Sequence, residues 1–196
     1  MRGYRRVCQC GWCHGGVKLH VALNLILGRS DKAALWISGG TVYSDGFEFE
    51  VELRHRLQEE EFAMFGQPFA LRGPPLHRRD WPPEAGQLDP SLIRFGIQFS
   101  DGRKATNLSA WLHFQRPGGP DAPPEGPVLL AHRGGGGGGG HWQQWFWAWP
   151  LPPEGPLAFV CEWPLADIAE TRSEIDSALL RDAAAEVVAL WPEAEG

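Results

Sequence analysis

The sequence predicts a mainly β fold, an antiparallel β-sandwich with one C-terminal α-helix packed on it. Two observations lead to this class. Apolar and polar residues alternate in several short segments, which is typical of strands with one buried and one solvated face. Near the C-terminus the apolar spacing changes to the helical period. Seven or eight strands are expected, and this number makes an immunoglobulin-like topology possible.

The clearest alternation lies in residues 47–56. Apolar side chains there alternate with charged ones, namely Phe47, Phe49, Val51 and Leu53 with Glu48, Glu50, Glu52 and Arg54. The pattern predicts that the three glutamates lie on a solvated face of an antiparallel sheet. Similar alternation predicts strands at 19–27 and 93–99. Asp101-Gly102 predicts a tight hairpin turn with positive φ at both positions, followed by a strand over 103–114.

Further strands are expected at 33–38, 128–132, 142–149 and 157–163. The pair Gly39-Gly40 is expected to end the second strand. Proline cannot donate to a β-ladder, so the proline-rich residues 57–90 are predicted to form a long surface loop and 116–127 a linker.

The last element is predicted to be a helix over 173–191. Thr171-Arg-Ser-Glu174 has the spacing of a capping box, and Trp191-Pro192 stops the helical pattern. Residues 17–192 are therefore interpreted as a single domain with a tail at 193–196. Residues 1–16 show no apolar periodicity and are expected to be a disordered or spurious leader.

Seven consecutive glycines, 134–140, precede the densest aromatic run of the chain. The glycines are predicted to form a flexible hairpin loop, since no Lys-Ser/Thr pair and no helix follows them to make a phosphate site. In the following strand Trp145, Trp147 and Trp149 share one face, and Trp142 and Phe146 lie on the other. Aromatic residues on both faces favour core packing, while an exposed face would be a platform for a ligand.

Composition argues against several partners. The chain has 196 residues, a formal net charge of -6 and a pI near 5.6, whereas nucleic-acid binding needs a basic surface. No segment approaches the roughly 20 apolar residues that cross a bilayer. We therefore expect a cytoplasmic protein with no nucleic-acid partner, no membrane association and no cofactor.

Three of the four cysteines lie close to the N-terminus. Cys10-Gly-Trp-Cys13-His14 matches the pattern of c-type haem attachment. With Cys8, the same residues could instead hold zinc, although structural zinc sites usually draw on two separated pairs of ligands. Neither motif is specific enough to predict a metal, and Cys161 is interpreted as a small buried hydrophobic residue.

No catalytic motif is recognisable, because the histidines are scattered and neither H-E-x-x-H nor G-x-S-x-G occurs. The leading hypothesis is a non-enzymatic protein that contacts a protein partner through loops 66–90 and 132–142. Its candidate binding residues are Arg78, Arg79, Trp81, Arg133, His141 and Trp142. The alternative is a small-molecule or carbohydrate module that uses the aromatic strand face near 142–149. An enzyme would require histidines and carboxylates that converge.

Several short motifs carry a family resemblance. They are Tyr43-Ser-Asp-Gly46, Phe99-Ser-Asp-Gly-Arg-Lys-Ala-Thr-Asn107, Trp149-Pro-Leu-Pro-Pro-Glu-Gly-Pro156, Glu162-Trp-Pro164 and Leu190-Trp-Pro192. Together with the glycine tract, they resemble a family of uncharacterised proteins of high-GC bacteria over residues 17–192. The resemblance implies a bacterial cytoplasmic protein and supplies no catalytic residue.

Overall fold

The computed structural model describes residues 17–58, 69, 88, 90–108 and 126–190. The cysteine-rich leader and most of the proline-rich segment lie outside these residues. Within them the chain forms nine strands, a short 3-10 helix and one α-helix. In chain order these are β1 Leu19–Arg29, β2 Ala33–Val42, β3 Phe47–His55, β4 Arg94–Gln98, β5 Lys104–Thr106, β6 Val128–Gly138, β7 His141–Trp149, β8 Pro156–Trp163, the 3-10 helix Pro164–Ala166, β9 Ile168–Asp176 and α1 Ala178–Ala185.

The strands form two antiparallel sheets that share one core, which confirms the predicted sandwich. One sheet has the order β1-β2-β3-β7-β6 and the other β5-β4-β8-β9. In the immunoglobulin arrangement the third strand belongs to the opposite sheet, whereas here β3 pairs with β2. The topology therefore differs from the immunoglobulin order that the number of strands made possible.

The centre of the core is a group of phenylalanine rings from both sheets. The ring centroid of Phe49 lies 5.7 Å from that of Phe47 and 5.8 Å from that of Phe146 in its own sheet. It lies 5.8 Å from Phe95 and 5.3 Å from Phe159 in the opposite sheet. Such separations are typical of favourable aromatic pairs. The predicted inner face of β3 is thus confirmed.

β2 continues beyond its predicted end. The strand runs through Gly39-Gly40 to Val42, and its pairing with β3 shifts register between Ile37 and Gly40. Gly39 therefore lies in a β-bulge with Ser38, and Gly40 pairs with Phe49, so neither glycine ends the strand. A bulge lets one strand carry extra residues without leaving the sheet.

The Asp101-Gly102 hairpin is present, but its turn differs from the predicted one. Gly102 alone has positive φ, at 87°, and its N–H donates to the carbonyl of Phe99 at 3.0 Å. The N–H of Arg103 also donates to the Asp101 side chain at 3.0 Å. This is the three-residue connection, in which a type I turn is followed by one left-handed residue. The strand that follows ends at Thr106 within the described residues.

The prediction of a flexible loop over the seven glycines is wrong for most of the run. β6 extends through Gly138, and Gly136, Gly137 and Gly138 pair with the beginning of β7. The turn consists of Gly139-Gly140, with φ of 60° and 78°. Two successive positive φ angles are what a two-residue hairpin turn requires. The segment 132–142 therefore lies in two strands and their turn.

The predicted helix over 173–191 is shorter and begins later. Residues Ile168–Asp176 form β9, paired with β8, and the helix spans Ala178–Ala185. The Thr171 hydroxyl donates to the carbonyl of Leu27, and the Ser173 hydroxyl donates to that of Ile26 at 2.7 Å. These two contacts tie the edge of one sheet to the edge of the other. They explain why the capping-box sequence lies in a strand, because its side chains bond to β1.

Candidate functional site

The outer face of the five-stranded sheet carries carboxylates and indole rings side by side. Glu50 of β3 lies opposite Trp145 of β7, and Glu52 lies between Trp36 of β2 and Gln143 of β7. Residues directly opposite each other in antiparallel strands have Cβ atoms about 4.5–5.5 Å apart. The register therefore makes Glu50 and Glu52 direct neighbours of two tryptophans.

Glu50 is in surroundings that disfavour its charged form. Partial burial and then the negative charge of Glu52 raise the pKa of Glu50 above its ordinary value of 4.5. The neighbouring His141 and a hydrogen bond with the Trp145 side chain act in the opposite direction without cancelling the rise. A positive charge placed beside Glu50 would therefore stabilise its carboxylate form.

His141 joins the same group of side chains. Its Nε2 lies 3.4 Å from Oε2 of Glu52, and the two side chains keep 30% and 22% of their surface exposed. Nε2 can donate to the carboxylate when it carries a proton. The structure thus brings a histidine and two carboxylates together, although the sequence suggested only scattered histidines. The pairing of His141 with Arg54 across β3 and β7 creates this contact.

The side of Glu50 that faces β2 carries little side-chain volume. The bulge in β2 places Ser38 and Gly39 opposite Glu50, and Gly39 pairs in turn with Ala22 of β1. None of these positions has a large side chain. Small side chains therefore border the Glu50 carboxylate on this side.

One end of this face is buried, contrary to the prediction that the whole glutamate row is solvated. Glu48 has no exposed surface, and its ladder neighbours Thr41 and Trp147 are buried as well. Trp147 belongs to a second apolar cluster, made of Tyr43, Val128, Leu130 and Trp147 with Trp149 packed against it. Alternation in the sequence shows that the three glutamates share a face, but it does not show whether that face is solvated. The Trp147 cluster covers the end of the face at Glu48.

β7 presents aromatic residues on both faces, as predicted. Phe146 and Ala148 are buried on the inner face and Trp147 on the outer face. Trp145 and Trp149 are half-buried on the outer face. Core packing is therefore confirmed for the centre of the strand. Trp149 packs against the second cluster, whereas Trp145 lies beside Glu50. The ring of Trp145 keeps surface that a ligand can reach.

Two of the residues predicted to bind a partner have described side chains, His141 and Trp142, and these two lie on opposite faces of β7. His141 belongs to the outer face, whereas Trp142 lies on the inner face and packs against the main core. Arg133 lies in β6, and its side chain is outside what the structure describes. Also outside the described residues lie Arg78, Arg79 and Trp81. Binding of a protein partner through loop 66–90 stays a prediction.

The candidate metal ligands Cys8, Cys10, Cys13 and His14 fall outside the described residues. Among those described, no three His, Cys, Asp or Glu side chains are grouped so that they could hold a metal ion. Cys161 is fully buried, as predicted, and burial followed by the charge of Glu162 raises the pKa of its thiol to about 12. The thiol is therefore protonated at neutral pH and behaves as an apolar core group.

No helix in the described part of the chain is long and apolar enough to cross a membrane. The chain matches no family model, no curated protein and no solved structure. The function therefore has to be argued from the chemistry of the side chains on the outer face.

Proposed function

We propose that this protein is a non-enzymatic module that binds a small organic cation, such as an amine or a guanidinium compound. The binding site is the acidic–aromatic face, which comprises Trp36, Glu50, Glu52, His141 and Trp145. The proposal develops the second hypothesis from the sequence, a small-molecule site on the aromatic strand. It adds that the ligand carries a positive charge.

The observation that carries the proposal is a pair of half-buried carboxylates, Glu50 and Glu52, whose one ion-pair partner among the described residues is a histidine, His141. In the described part of the chain, neither Glu50 nor Glu52 forms an ion pair with lysine or arginine. Burial, and then the neighbouring charge of Glu52, raise the pKa of Glu50, so both raise the free energy of the charged, empty face. A bound cation would remove the repulsion, so the site favours a positive ligand.

The indole rings support the same choice of ligand. The face of a tryptophan attracts a cation by about 0.5–2 kcal/mol, depending on how far the cation is desolvated. Trp36 and Trp145 are both half-buried, and the hydrogen bond between Trp145 and Glu50 holds that ring beside the carboxylate. Charge and aromatic attraction therefore act together.

Titrations of the full chain test the proposal. Tetramethylammonium and agmatine serve as cationic probes, and glucose serves as the neutral comparison. We expect both cations to shift the tryptophan fluorescence and to give saturable heats of binding, whereas glucose does neither. Saturable binding of glucose with equal or higher affinity would contradict the proposal and favour a carbohydrate module.

Removing either accessible carboxylate is expected to weaken binding of the cationic probes. Glu50→Gln and Glu52→Gln each remove one negative charge and keep the shape of the side chain, so we expect about a tenfold loss of affinity, or about 1.4 kcal/mol. The matched control is Glu170→Gln, an exposed position on β9 of the other sheet. Equal affinities in all three variants would contradict the assignment of the site.

Binding is also expected to weaken on acidification at a pH above the usual range of glutamate. Because the pKa of Glu50 is raised, its carboxylate takes up a proton at a higher pH than an ordinary glutamate does.

The raised pKa of Glu50 also affects stability. The folded state holds the proton of Glu50 more tightly than the unfolded state, so Glu50 lowers stability as pH rises from 4.5 through its raised pKa. Glu50→Gln should therefore melt no lower than the parent protein at neutral pH. A lower melting temperature would contradict this reasoning.

A further inference from the structure

A separate cavity lies beyond the end of β3. The turn between β1 and β2 and the residues that end β3 line this half-open cavity, whose volume is about 410 Å³. We call this cavity the cationic pocket. Its polar lining consists of Ser30, Asp31, Lys32, Arg54, His55 and Arg56.

Hydrogen bonds fix the two walls of the cationic pocket. Oγ of Ser30 accepts from the N–H groups of Lys32 and Ala33, at 3.0 and 3.2 Å, and donates to the carbonyl of Ala166 at 2.6 Å. The N–H of Arg56 donates to the carbonyl of Lys32 at 2.8 Å. The turn is thus held against both the end of β3 and the 3-10 helix Pro164–Ala166.

Positive charge in the cationic pocket exceeds negative charge. Lys32 pairs with Asp167 at 2.6 Å on the exposed rim, and Asp31 is the one carboxylate of the lining. Arg54 and Arg56 are exposed, and neither forms an ion pair with a carboxylate of the described chain. The whole protein carries a net charge of -6. Two guanidinium groups without an ion pair among the described residues therefore give one cavity a local excess of positive charge.

A third arginine adds to this excess. Arg29 of β1 pairs with Ala34 of β2, which pairs with Arg54 of β3, so both arginines lie on the same face with one methyl group between them. Burial lowers the pKa of His55, so its ring is neutral at neutral pH. The positive charge of the pocket therefore comes from its arginines, with Lys32 at the rim.

We infer that the cationic pocket binds a phosphate group, held by the guanidinium groups of Arg54 and Arg56. The parallel N–H donors of a guanidinium match two oxygens of a phosphate, and this geometry makes arginine well suited to the group. The volume is within the range of small-molecule sites, so it can take a phosphate with a small organic part. The two sites share no residue, although Arg54 borders the acidic–aromatic face because it pairs with His141, so substitutions in each site are compared with both probes.

Calorimetric titration of the full chain with inorganic phosphate and with pyrophosphate tests this inference. We expect saturable binding that weakens as salt concentration rises, because the contacts are charged. The double variant Arg54→Gln/Arg56→Gln is expected to lose at least about tenfold in affinity. Arg103→Gln is the matched control, since this exposed arginine lies in the β4–β5 hairpin and pairs with Asp101. The substituted side chains are exposed, so melting temperatures should stay close to that of the parent.

Unchanged phosphate affinity in the double variant would overturn the inference. An equal loss in Arg103→Gln would also overturn it, because binding would then follow overall charge. Glu50→Gln should leave phosphate affinity unchanged, and the arginine double variant should still bind tetramethylammonium. These cross-measurements separate a failure of the phosphate site from a failure of the cation site.

Discussion

The Phe49→Ala variant is expected to lose about 3–5 kcal/mol of its free energy of unfolding. Phe49 has no exposed surface, and its ring contacts phenylalanines of both sheets, Phe47 and Phe146 on one side and Phe95 and Phe159 on the other. Truncation removes the apolar contacts and leaves a cavity. Since β3 is the central strand of its sheet, the backbone cannot move in to close it.

Urea unfolding followed by circular dichroism measures this loss. The control is Ile26→Ala, because Ile26 is 55% exposed on β1 and a substitution at such a position usually changes stability by about 0.5 kcal/mol or less. Phe49→Leu should fall between the two, since leucine fills part of the space. If Phe49→Ala were as stable as Ile26→Ala, the phenylalanine group would not be the core of the protein in solution.

The inner face of β3 could be predicted from the sequence because its cause is local. Phe47, Phe49, Val51 and Leu53 alternate with charged residues over a single strand, and the pleat sends alternate side chains to opposite faces. The same reasoning found β1 and β4. Strand position and orientation were thus predictable wherever one face is wholly apolar.

The C-terminal strand could not be predicted because its cause is distant in the chain. The residues from Thr171 to Glu174 fit a helix start equally well when only local contacts are considered. The hydroxyls of Thr171 and Ser173 instead donate to carbonyls of β1, which lies more than a hundred residues earlier. A capping pattern cannot show whether these hydroxyls will bond to the N–H groups of a helix start or to the carbonyls of β1.

Only part of the candidate site could be predicted from the sequence, because its other contacts join strands that are distant in the chain. Alternation places Glu50 and Glu52 on one face, but their contact with Trp145 and His141 depends on the pairing of β3 with β7. The sequence treated His141 and Trp142 as neighbours on a loop. In a strand, adjacent residues lie on opposite faces, so the first joins the site and the second joins the core.

Within the glycine run, neighbouring substitutions are expected to have opposite effects. At Gly137 an added Cβ would collide with backbone atoms of His141 and Trp142 across the hairpin. At Gly136 the same atom would have nothing within 4 Å. The backbone cannot rotate away as a side chain can, so Gly137→Ala should cost about 3 kcal/mol, the upper end of overpacking. Gly136→Ala should stabilise by about 0.4–1 kcal/mol, because it restricts the unfolded chain.

Urea unfolding of the two variants measures this difference, and Gly138→Ala is a second control, since its Cβ would also lie in open space. We expect Gly136→Ala and Gly138→Ala to bind tetramethylammonium like the parent, because an added methyl group leaves the charges of the acidic–aromatic face unchanged. Equal stability of the Gly136 and Gly137 variants would contradict the pairing of β6 with β7 through Gly138. In a flexible loop, neighbouring positions would tolerate a side chain equally. In a paired strand, neighbouring positions lie on opposite faces and differ in the space that they offer.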